Sequence, residues 1–547
     1  MKIALGQINP TIGDFIGNSK KIIDFSRKAH ASGAELAMFP ELSVCGYPPR
    51  DLLEKPAFVA RCQQAVKEIA EAVPEITVIC GFVSPAGVET GKSVMNSAAV
   101  LRDGKLQFVQ SKILLPTYDV FDEVRYFDPA ASQKVLPLAG KQLALTICED
   151  AWNDKHFWHR RLYSIDPVDD LLHAGGNLVL NISASPYHLG KRELRQKMLA
   201  TIARDNKVPV VLVNQVGGND SLIFDGSSMA LGPDGNVIAQ AKSFEEDLIF
   251  LDSETLKGDI HQQTELGMPS VYAALVLGTR DYVRKCGFSK VLIALSGGID
   301  SALTAAIAVD ALGKENVTGV AMPSQYSSEH SVTDARELAN NLGIRFEMVP
   351  IGPIFDSYRK ALSCVFAGLP EDVTEENIQS RIRGNIVMAM SNKFGHLVLT
   401  TGNKSEVAVG YSTLYGDMVG GLGVISDVPK TMVYQLSHFV NSRKAVIPQS
   451  TLDKPPSAEL RPGQKDSDTL PPYEILDNIL EDYVEDYHSA GQIASERGYD
   501  IKVVRDVIRM IERSEYKRQQ AAPGLKITPK AFGMGRRFPI AQKSEVW

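Results

Sequence analysis

The chain has 547 residues, of which 44% are hydrophobic and 22% charged, so it is predicted to fold into roughly two to four globular domains. Its 58 Lys and Arg residues against 65 Asp and Glu residues give a net charge of −7. This net negative charge disfavours a protein dedicated to binding nucleic acids or anionic membrane surfaces. No run approaches the length of about 18 apolar residues that crosses a bilayer, so we expect no membrane segment.

The N-terminus and the cysteines indicate where the protein works. Polar Gln7 and Asn9 come before the apolar core of a signal peptide could form, so the first residues are predicted to be a β-strand. The six cysteines are scattered and form no CxxC pair, so we expect neither a disulfide framework nor a zinc site. A cytoplasmic, reduced setting follows from this pattern.

Residues 1–265 are predicted to form a first α/β domain. Short apolar runs typical of strands alternate there with helical stretches. These runs cover residues 36–39, 76–83, 97–101, 143–147, 178–182 and 208–213. Residues 232–235, Gly-Pro-Asp-Gly, predict a hairpin turn between two late strands. Residues 252–268 are rich in charges and glutamines, which predicts a linker.

Residues 266–547 are predicted to form a second α/β domain. It opens with a helix over residues 270–285, followed by strand candidates at 291–295, 317–322, 346–350 and 396–400. This alternation favours a doubly wound parallel sheet with helices on both faces. Residues 447–472 carry six prolines and many charges, which predicts neither a strand nor a helix. That segment is either a surface loop or a mobile lid over a nearby site.

Three reactive side chains of the first domain follow apolar runs. Glu41 comes directly after the run at 36–39, Lys112 lies beside an apolar stretch, and Cys148 follows the run at 143–147. Active sites of α/β proteins lie at the carboxyl ends of strands. A thiol, a carboxylate and an ammonium supply the nucleophile, proton acceptor and oxyanion stabiliser of acyl transfer. The thiol needs a base because it is mostly protonated at neutral pH.

The segments FPELSVCGY, SKILLPTYDVFDEVRYF and ICEDAW resemble, in order and spacing, the signatures of the nitrilase (carbon–nitrogen hydrolase) superfamily. The resemblance implies an α-β-β-α sandwich with Glu41 as general base, Lys112 as stabiliser of the intermediate and Cys148 as nucleophile. Glu123 matches the second glutamate of that family, which orients the site. The segment 181–191 is similar to the glutamine pocket of glutaminase members, and this similarity implies that Tyr118, Glu123, Ser185 and Lys191 bind glutamine.

The second domain contains a glycine-rich loop between an apolar run and a helical stretch. Gly297 and Gly298 let the backbone approach a phosphate, and the following helix directs its N–H groups at the anion. Ser296 and Ser301 add hydroxyl donors. No Gly-Lys-Ser/Thr follows, so this is not a Walker loop. Asp300 would repel a nucleotide unless it bound Mg²⁺.

The segment SGGIDS resembles the pyrophosphate loop of N-type ATP pyrophosphatases. In combination with a nitrilase-type glutaminase domain, this loop resembles the glutamine-dependent NAD synthetase family. The segments TTGNKSE, ISDVPKT and RSEYKRQQAAPG are also similar to segments of that family. The resemblance implies an adenine nucleotide α-hydrolase-like fold that uses ATP. It also implies that Asp300 and Glu406 bind Mg²⁺, and that Asn377, Glu406 and Lys517 bind deamido-NAD. The implied ATP contacts are Leu295, Ser296, Gly297, Gly298, Ile299, Asp300, Ser301 and Thr401. Arg381, Arg383 and Asp417 are further candidates for binding residues in this domain.

The basic C-terminus has two interpretations. Residues 513–547 hold eight Lys or Arg residues and two acidic residues, a local charge of +6 within a chain of −7. Such a tail is either solvated or attracts the pyrophosphate of a dinucleotide.

The family resemblance implies amidation of deamido-NAD to NAD, with ammonia from glutamine and with AMP and pyrophosphate as products. It also implies a homo-oligomer. Two alternatives remain open at this point: a stand-alone amidase whose second half is regulatory, and a non-enzymatic ATP sensor or scaffold.

Overall fold

The computed structural model describes residues 1–87 and 90–543, and the chain divides into two compact units, Met1–Ser270 (unit 1) and Val271–Trp547 (unit 2). None of the helices in the described part of the chain is both long and apolar enough to cross a membrane.

Two sheets form the centre of unit 1. In order, the first contains β15 (Lys257–Gly258), β14 (Asp247–Asp252), β1 (Lys2–Gln7), β2 (Leu36–Met38), β3 (Thr77–Pro85), β4 (Val94–Arg102) and β5 (Lys105–Ser111). The second contains β13 (Val237–Gln240), β12 (Met229–Leu231), β9 (Val210–Asn214), β8 (Leu178–Ser183), β7 (Lys141–Ile147) and β6 (Leu136–Leu138). A separate hairpin joins β10 (Val216–Asn219) and β11 (Leu222–Asp225).

The central strands of unit 1, such as β2, β8 and β9, are largely apolar on both faces because both faces are buried. In β7, Leu145 and Ile147 pack in the cluster that also holds Leu5 and Met38 of the first sheet, whereas Ala144 packs toward helices. The helices are α1 (Phe15–Ala31) and α2 (Pro56–Ala72) against the first sheet, and α3 (Pro167–His173) and α4 (Lys191–Asn206) against the second. This arrangement confirms the expected α-β-β-α sandwich.

The linker expected at residues 252–268 is wrong in its first part. There β15 pairs antiparallel with β14, with Leu251 opposite Gly258. Lys257 and Gly258 are both exposed, so this edge strand carries no apolar alternation by which a sequence could reveal it. The hairpin turn at 232–235 is confirmed, since Gly235 N donates to Gly232 O between β12 and β13.

Unit 2 is built on a parallel sheet, as expected. Its order is β18 (Arg345–Met348), β17 (Val317–Ala321), β16 (Val291–Ala294), β19 (Leu397–Thr400) and β20 (Leu422–Gly423), and each neighbouring pair is parallel. The helices are α5 (Met268–Lys285), α6 (Ile299–Leu312), α7 (Glu329–Leu342), α8 (Gly352–Leu362), α9 (Val373–Phe394), α10 (Lys404–Val409), α11 (Lys430–Arg443), α12 (Gln449–Asp453), α13 (Tyr473–Leu480), α14 (Ala490–Arg497), α15 (Ile501–Arg513) and α16 (Glu515–Arg518).

The proline-rich segment 447–472 is mostly irregular, but the expectation that it holds no helix is wrong for α12. Pro448 precedes this short helix, where its fixed backbone and missing N–H are tolerated. Further along the segment, Glu459 accepts hydrogen bonds from Ser328 and Ser331 at the start of α7 and pairs with Lys454. The segment is therefore hydrogen-bonded to the body of unit 2.

Candidate active site

Unit 1 brings together the three side chains that the acyl-transfer argument selects. Glu41 lies three residues beyond β2, Lys112 directly follows β5, and Cys148 directly follows β7. The Lys112 Nζ atom lies 2.8 Å from Glu41 Oε1, and the two side chains are fully buried. Lys112 also donates to both carboxylate oxygens of Glu123 at 2.9 Å.

Burial and mutual charge strongly shift the pKa values of this cluster. Burial lowers the pKa of Lys112, but the attraction of Glu123 and Glu41 outweighs it and holds that pKa well above its usual value. Lys112 is therefore an ammonium at physiological pH. Burial and the negative charge of Glu41 raise the pKa of Glu123 to about 7, against the opposing effect of Lys112.

Cys148 is a protonated thiol in the resting site. Burial, followed by the charge of Glu41, raises the pKa of the Cys148 thiol well above its usual value, while Lys112 acts in the opposite direction. Its backbone adopts a left-handed φ of 43°, a conformation that is rare for a residue with a side chain and is found at functional turns. The thiol therefore requires a neighbouring base before it can act as a nucleophile.

Two residues that the sequence did not single out hold the carboxylates. Asn96 Nδ2 donates to Glu41 at 2.7 Å, and Tyr47 Oη donates to Glu123 at 2.9 Å. The backbone N–H of Ala184 donates to the other oxygen of Glu41 at 2.9 Å. The signal for Asn96 is a buried polar residue inside the mostly apolar strand β4.

Tyr118, which is expected to bind glutamine, contacts Glu149, a carboxylate that the sequence analysis did not single out. Tyr118 donates to both oxygens of Glu149 at 3.0 and 3.1 Å, and Tyr163 donates to the same group at 3.1 Å. Burial raises the pKa of Glu149. The Lys191 Nζ atom lies 3.9 Å from the centre of the Trp152 ring. The signal for Glu149 was its position directly after Cys148.

Ser185 is buried on a neighbouring segment, with its backbone N–H bonded to Asn214 Oδ1 at 2.9 Å. Among the described residues, no hydrogen bond joins Ser185 to Tyr118.

In unit 2, the glycine-rich loop connects β16 to α6 as expected. Gly297 has a φ of 77°, and a Cβ atom there would lie 2.3 Å from the carbonyl oxygen of Ser331, so only glycine fits. The Ser301 hydroxyl donates to Gly298 O at 3.0 Å, and Ser296 accepts from Gly298 N at 3.2 Å. The two hydroxyls therefore stabilise the loop itself. Leu295 and Ile299 flank it in the core, and Thr401 directly follows β19.

Asp300 and Glu406 lie on either side of Lys430, which the sequence analysis did not assign although it is part of ISDVPKT. Lys430 forms an ion pair with Asp300 and lies 3.4 Å from Glu406. Asn403 Nδ2 also donates to Asp300, at 2.9 Å. Burial, followed by the charge of Asp300, raises the pKa of Glu406 to about 8 against the effect of Lys430.

The donor chemistry of Asp300 and Glu406 fits the implied Mg²⁺. This ion keeps several waters and is held by one or two carboxylates together with substrate phosphates. In the part of the chain that the structure describes, no cluster of three or more His, Cys, Asp or Glu side chains could hold a metal.

Two of the three residues expected at deamido-NAD, Asn377 and Lys517, contact the loop 410–417. Thr413 Oγ1 donates to Asn377 at 2.8 Å, and its N–H donates to Asp417 at 2.7 Å. Lys517 donates to Gly410 O and Ser412 O, both at 2.7 Å. Glu406 pairs instead with Lys430.

The other charged candidates have different surroundings. Arg381 donates to Leu414 O at 3.2 Å, beside the loop 410–417, whereas Arg383 donates to Met322 O at 3.0 Å beyond β17. In the basic tail, Arg536 pairs with Glu512 at 2.9 Å and Arg518 with Glu515 at 2.9 Å, all buried, so these arginines are not solvated. Residues 544–547 of the tail lie outside the described residues.

Comparison with known proteins identifies the family. The carbon-nitrogen hydrolase family model matches residues 2–257, and the NAD synthase family model matches residues 271–521. A glutamine-dependent NAD(+) synthetase of Synechocystis sp. is 50% identical over 99% of this chain and 98% of its own length. The chain belongs to the glutamine-dependent NAD(+) synthetases.

Other members of the glutamine-dependent NAD(+) synthetases agree. The Thermotoga maritima member is 45% identical over 99% of both chains. The structure of the Acinetobacter baumannii enzyme in complex with ADP covers 98% of both chains at 42% identity, with a TM-score of 0.78. The Cytophaga hutchinsonii structure, at 22% identity and a TM-score of 0.84, shows the same fold. The family resemblance of the sequence motifs is thereby confirmed.

Proposed function

We propose that this chain converts deamido-NAD to NAD in an ATP-dependent amidation whose nitrogen comes from glutamine. Unit 1 hydrolyses L-glutamine to glutamate and ammonia, and unit 2 activates the nicotinate carboxylate and joins it to ammonia. The remaining products are AMP and pyrophosphate. The enzyme is further proposed to be a cytoplasmic homo-oligomer that takes small-molecule substrates and neither nucleic acid nor membrane.

The observation that carries the proposal is the buried Lys112 ammonium held between Glu41 and Glu123 beside the Cys148 thiol. Glu41 accepts the thiol proton as sulfur attacks the carboxamide carbon of glutamine. The Lys112 ammonium stabilises the oxyanion that forms at the former carbonyl oxygen. The protonated Glu41 then donates to the leaving nitrogen, which departs as ammonia and leaves a thioester on Cys148.

The thioester is cleaved by the same groups acting in reverse roles. Glu41 removes a proton from water, and the hydroxyl oxygen attacks the thioester carbon. The oxyanion again lies beside Lys112. Collapse of the intermediate releases glutamate and returns the proton to the Cys148 sulfur.

The surroundings of Glu149 support an amino-acid substrate over a simple amide. Glutamine carries an ammonium and a carboxylate at the end opposite its amide. The buried Glu149 carboxylate, with its two phenol donors, complements the ammonium, and Lys191 complements the carboxylate. A simple aliphatic amide offers neither charge.

In unit 2, the backbone around Gly297 and Gly298 and the N-terminus of α6 face the ATP phosphates. Asp300 and Glu406 would hold Mg²⁺, which would neutralise phosphate charge, and Lys430 adds a buried cation. The nicotinate carboxylate attacks the α-phosphorus and pyrophosphate departs. Ammonia then attacks the acyl carbon and displaces AMP.

Replacement of the nucleophile tests this proposal. Cys148→Ala should abolish glutamine hydrolysis and glutamine-driven NAD formation, yet still form NAD from ammonium salt at alkaline pH. Cys62→Ala, which removes another buried thiol of unit 1, should behave like the parent. Retained glutamine-driven synthesis in Cys148→Ala would contradict the glutaminase assignment. Parent enzyme that hydrolyses glutamine but forms no NAD with either nitrogen donor would support the amidase alternative.

A further inference from the structure

We propose that Asp150 is a positioning residue that holds the Lys112 segment and the Cys148 turn in a fixed relation. The inference rests on the proposed function, because it concerns the geometry of the same glutaminase site. Asp150 lies two residues beyond Cys148, in the short 3₁₀ turn Cys148–Ala151, and it is fully buried. Within residues 1–87 and 90–543, no hydrogen bond joins the Asp150 side chain to Glu41 or to the Cys148 thiol.

Four donors converge on the Asp150 carboxylate. One oxygen accepts from the backbone N–H groups of Ile113 at 3.0 Å and Leu114 at 2.9 Å. The other oxygen accepts from the Ile147 N–H at 3.1 Å and from the Gln133 amide at 2.8 Å. Each oxygen thus accepts two hydrogen bonds.

The positions of these donors in the sequence indicate what the Asp150 carboxylate does. Ile113 and Leu114 are the two residues after Lys112, and Ile147 is the residue before Cys148. Lys112 follows a strand of the first sheet, and Cys148 follows a strand of the second. One side chain therefore bonds the backbone on both sides of the site and sets the distance between oxyanion stabiliser and nucleophile.

The chemistry of Asp150 suits positioning rather than proton transfer. Burial raises its pKa, whereas the hydrogen bonds from Leu114, Gln133 and Ile147 lower it by favouring the ionised form. Among the described residues, no Lys, Arg or His pairs directly with it. The Asp150 carboxylate therefore acts through charge-assisted hydrogen bonds to the backbone and to Gln133.

Asp150→Asn tests the inference because it preserves size while replacing one oxygen with an NH₂ group. The NH₂ group has to face two N–H donors at whichever position it occupies. We expect kcat for glutamine hydrolysis to fall about a hundredfold, the cost of a misplacement of about 1 Å. The KM for glutamine should stay within about threefold, because Glu149 and Lys191 are unchanged, and ammonia-driven synthesis should stay at the parent rate.

The matched control is Asp252→Asn. Asp252 also accepts hydrogen bonds from two backbone N–H groups, those of Glu254 and Thr255. It pairs with Lys2 at the start of β1, so it lies at the end of the strands opposite to Glu41. It should leave every rate unchanged. Gln133→Ala, which removes one of the four donors, should lower kcat severalfold and keeps the test decisive if Asp150→Asn does not fold.

Three results would overturn the inference. The first is a kcat equal to that of the parent in Asp150→Asn or in Gln133→Ala, and the second is a raised KM for glutamine with unchanged kcat. The third is a loss of ammonia-driven synthesis as large as the loss of glutamine hydrolysis. Measurement of the parent and of Cys148→Ala in parallel separates this failure from failure of the proposed function. If the parent hydrolyses glutamine and Cys148→Ala does not, the proposed glutaminase stands whatever Asp150→Asn shows.

Discussion

The Lys112 ammonium lies 2.9 Å from both carboxylate oxygens of Glu123. Glu41 shares the same ammonium through one oxygen, so two carboxylates depend on a single cation in a site almost closed to solvent. Two buried negative charges on one positive charge leave one carboxylate poorly compensated. Burial, followed by this repulsion from Glu41, therefore raises the pKa of Glu123 to about 7 although it touches an ammonium.

This relationship predicts a pH-dependent stability that Glu123→Gln should remove. The pKa of Glu123 is 4.5 in the unfolded chain and about 7 when folded, so the folded state binds the extra proton between these values. The contribution of Glu123 is fully present below about pH 4.5 and is lost as the pH rises to about 7. The loss amounts to about 3 kcal/mol at most.

Thermal unfolding at about pH 5 and about pH 7.5 measures the effect. The stability of Glu123→Gln relative to the parent should increase with pH, since glutamine does not ionise. Parallel pH dependences of the two proteins would show that Glu123 does not titrate in this range.

Lys112→Met should destabilise unit 1 and abolish glutamine hydrolysis. It leaves the Glu41 and Glu123 carboxylates buried without their cation, and loss of one partner of a buried pair costs about 3–5 kcal/mol. Calorimetry and glutaminase assays check both effects. Lys105→Met removes an exposed lysine from β5 and should change neither. Unchanged stability together with retained hydrolysis in Lys112→Met would mean that the ion pairs are dispensable.

The glycine-rich loop predicts which bond of ATP is cleaved. Because the loop lacks a Walker lysine, turnover should yield AMP and pyrophosphate in equal amounts, measured by chromatography of the products. Asp300→Asn should depress this reaction with either glutamine or ammonia, whereas Asp310→Asn, later on the same helix, should not. Stoichiometric ADP and phosphate would contradict the assignment.

Lys517→Ala should weaken binding of deamido-NAD without affecting glutamine. Lys517 donates to Gly410 O and Ser412 O, directly before Thr413, whose hydroxyl donates to Asn377. Loss of a charge-assisted hydrogen bond of about 1.5–3 kcal/mol should raise the KM for deamido-NAD about ten- to a hundredfold. Steady-state kinetics with each substrate varied check this, with the exposed Lys502→Ala as control. An equal rise in both KM values would assign Lys517 to folding alone.

Several parts of the molecule were predictable because their signals are local. The runs that became β2, β7 and β16 are apolar on both faces, a pattern that indicates buried strands from the residues alone. Glu41, Lys112 and Cys148 stand in motifs of contiguous residues, and Gly297 stands in a turn that only glycine fits. Edge strand β15 escaped prediction because its residues are exposed and carry no periodic signal.

The partners of these residues were decided by the tertiary structure. Asp300 and Lys430 are 130 positions apart, yet they form an ion pair because the parallel sheet brings the ends of β16, β19 and β20 to one side. Asp150 bonds Ile113 across 37 positions because the two sheets face each other. The sequence determined which reactive groups the chain carries. Their burial, their pairing and their shifted pKa values follow from long-range contacts, which no local pattern encodes.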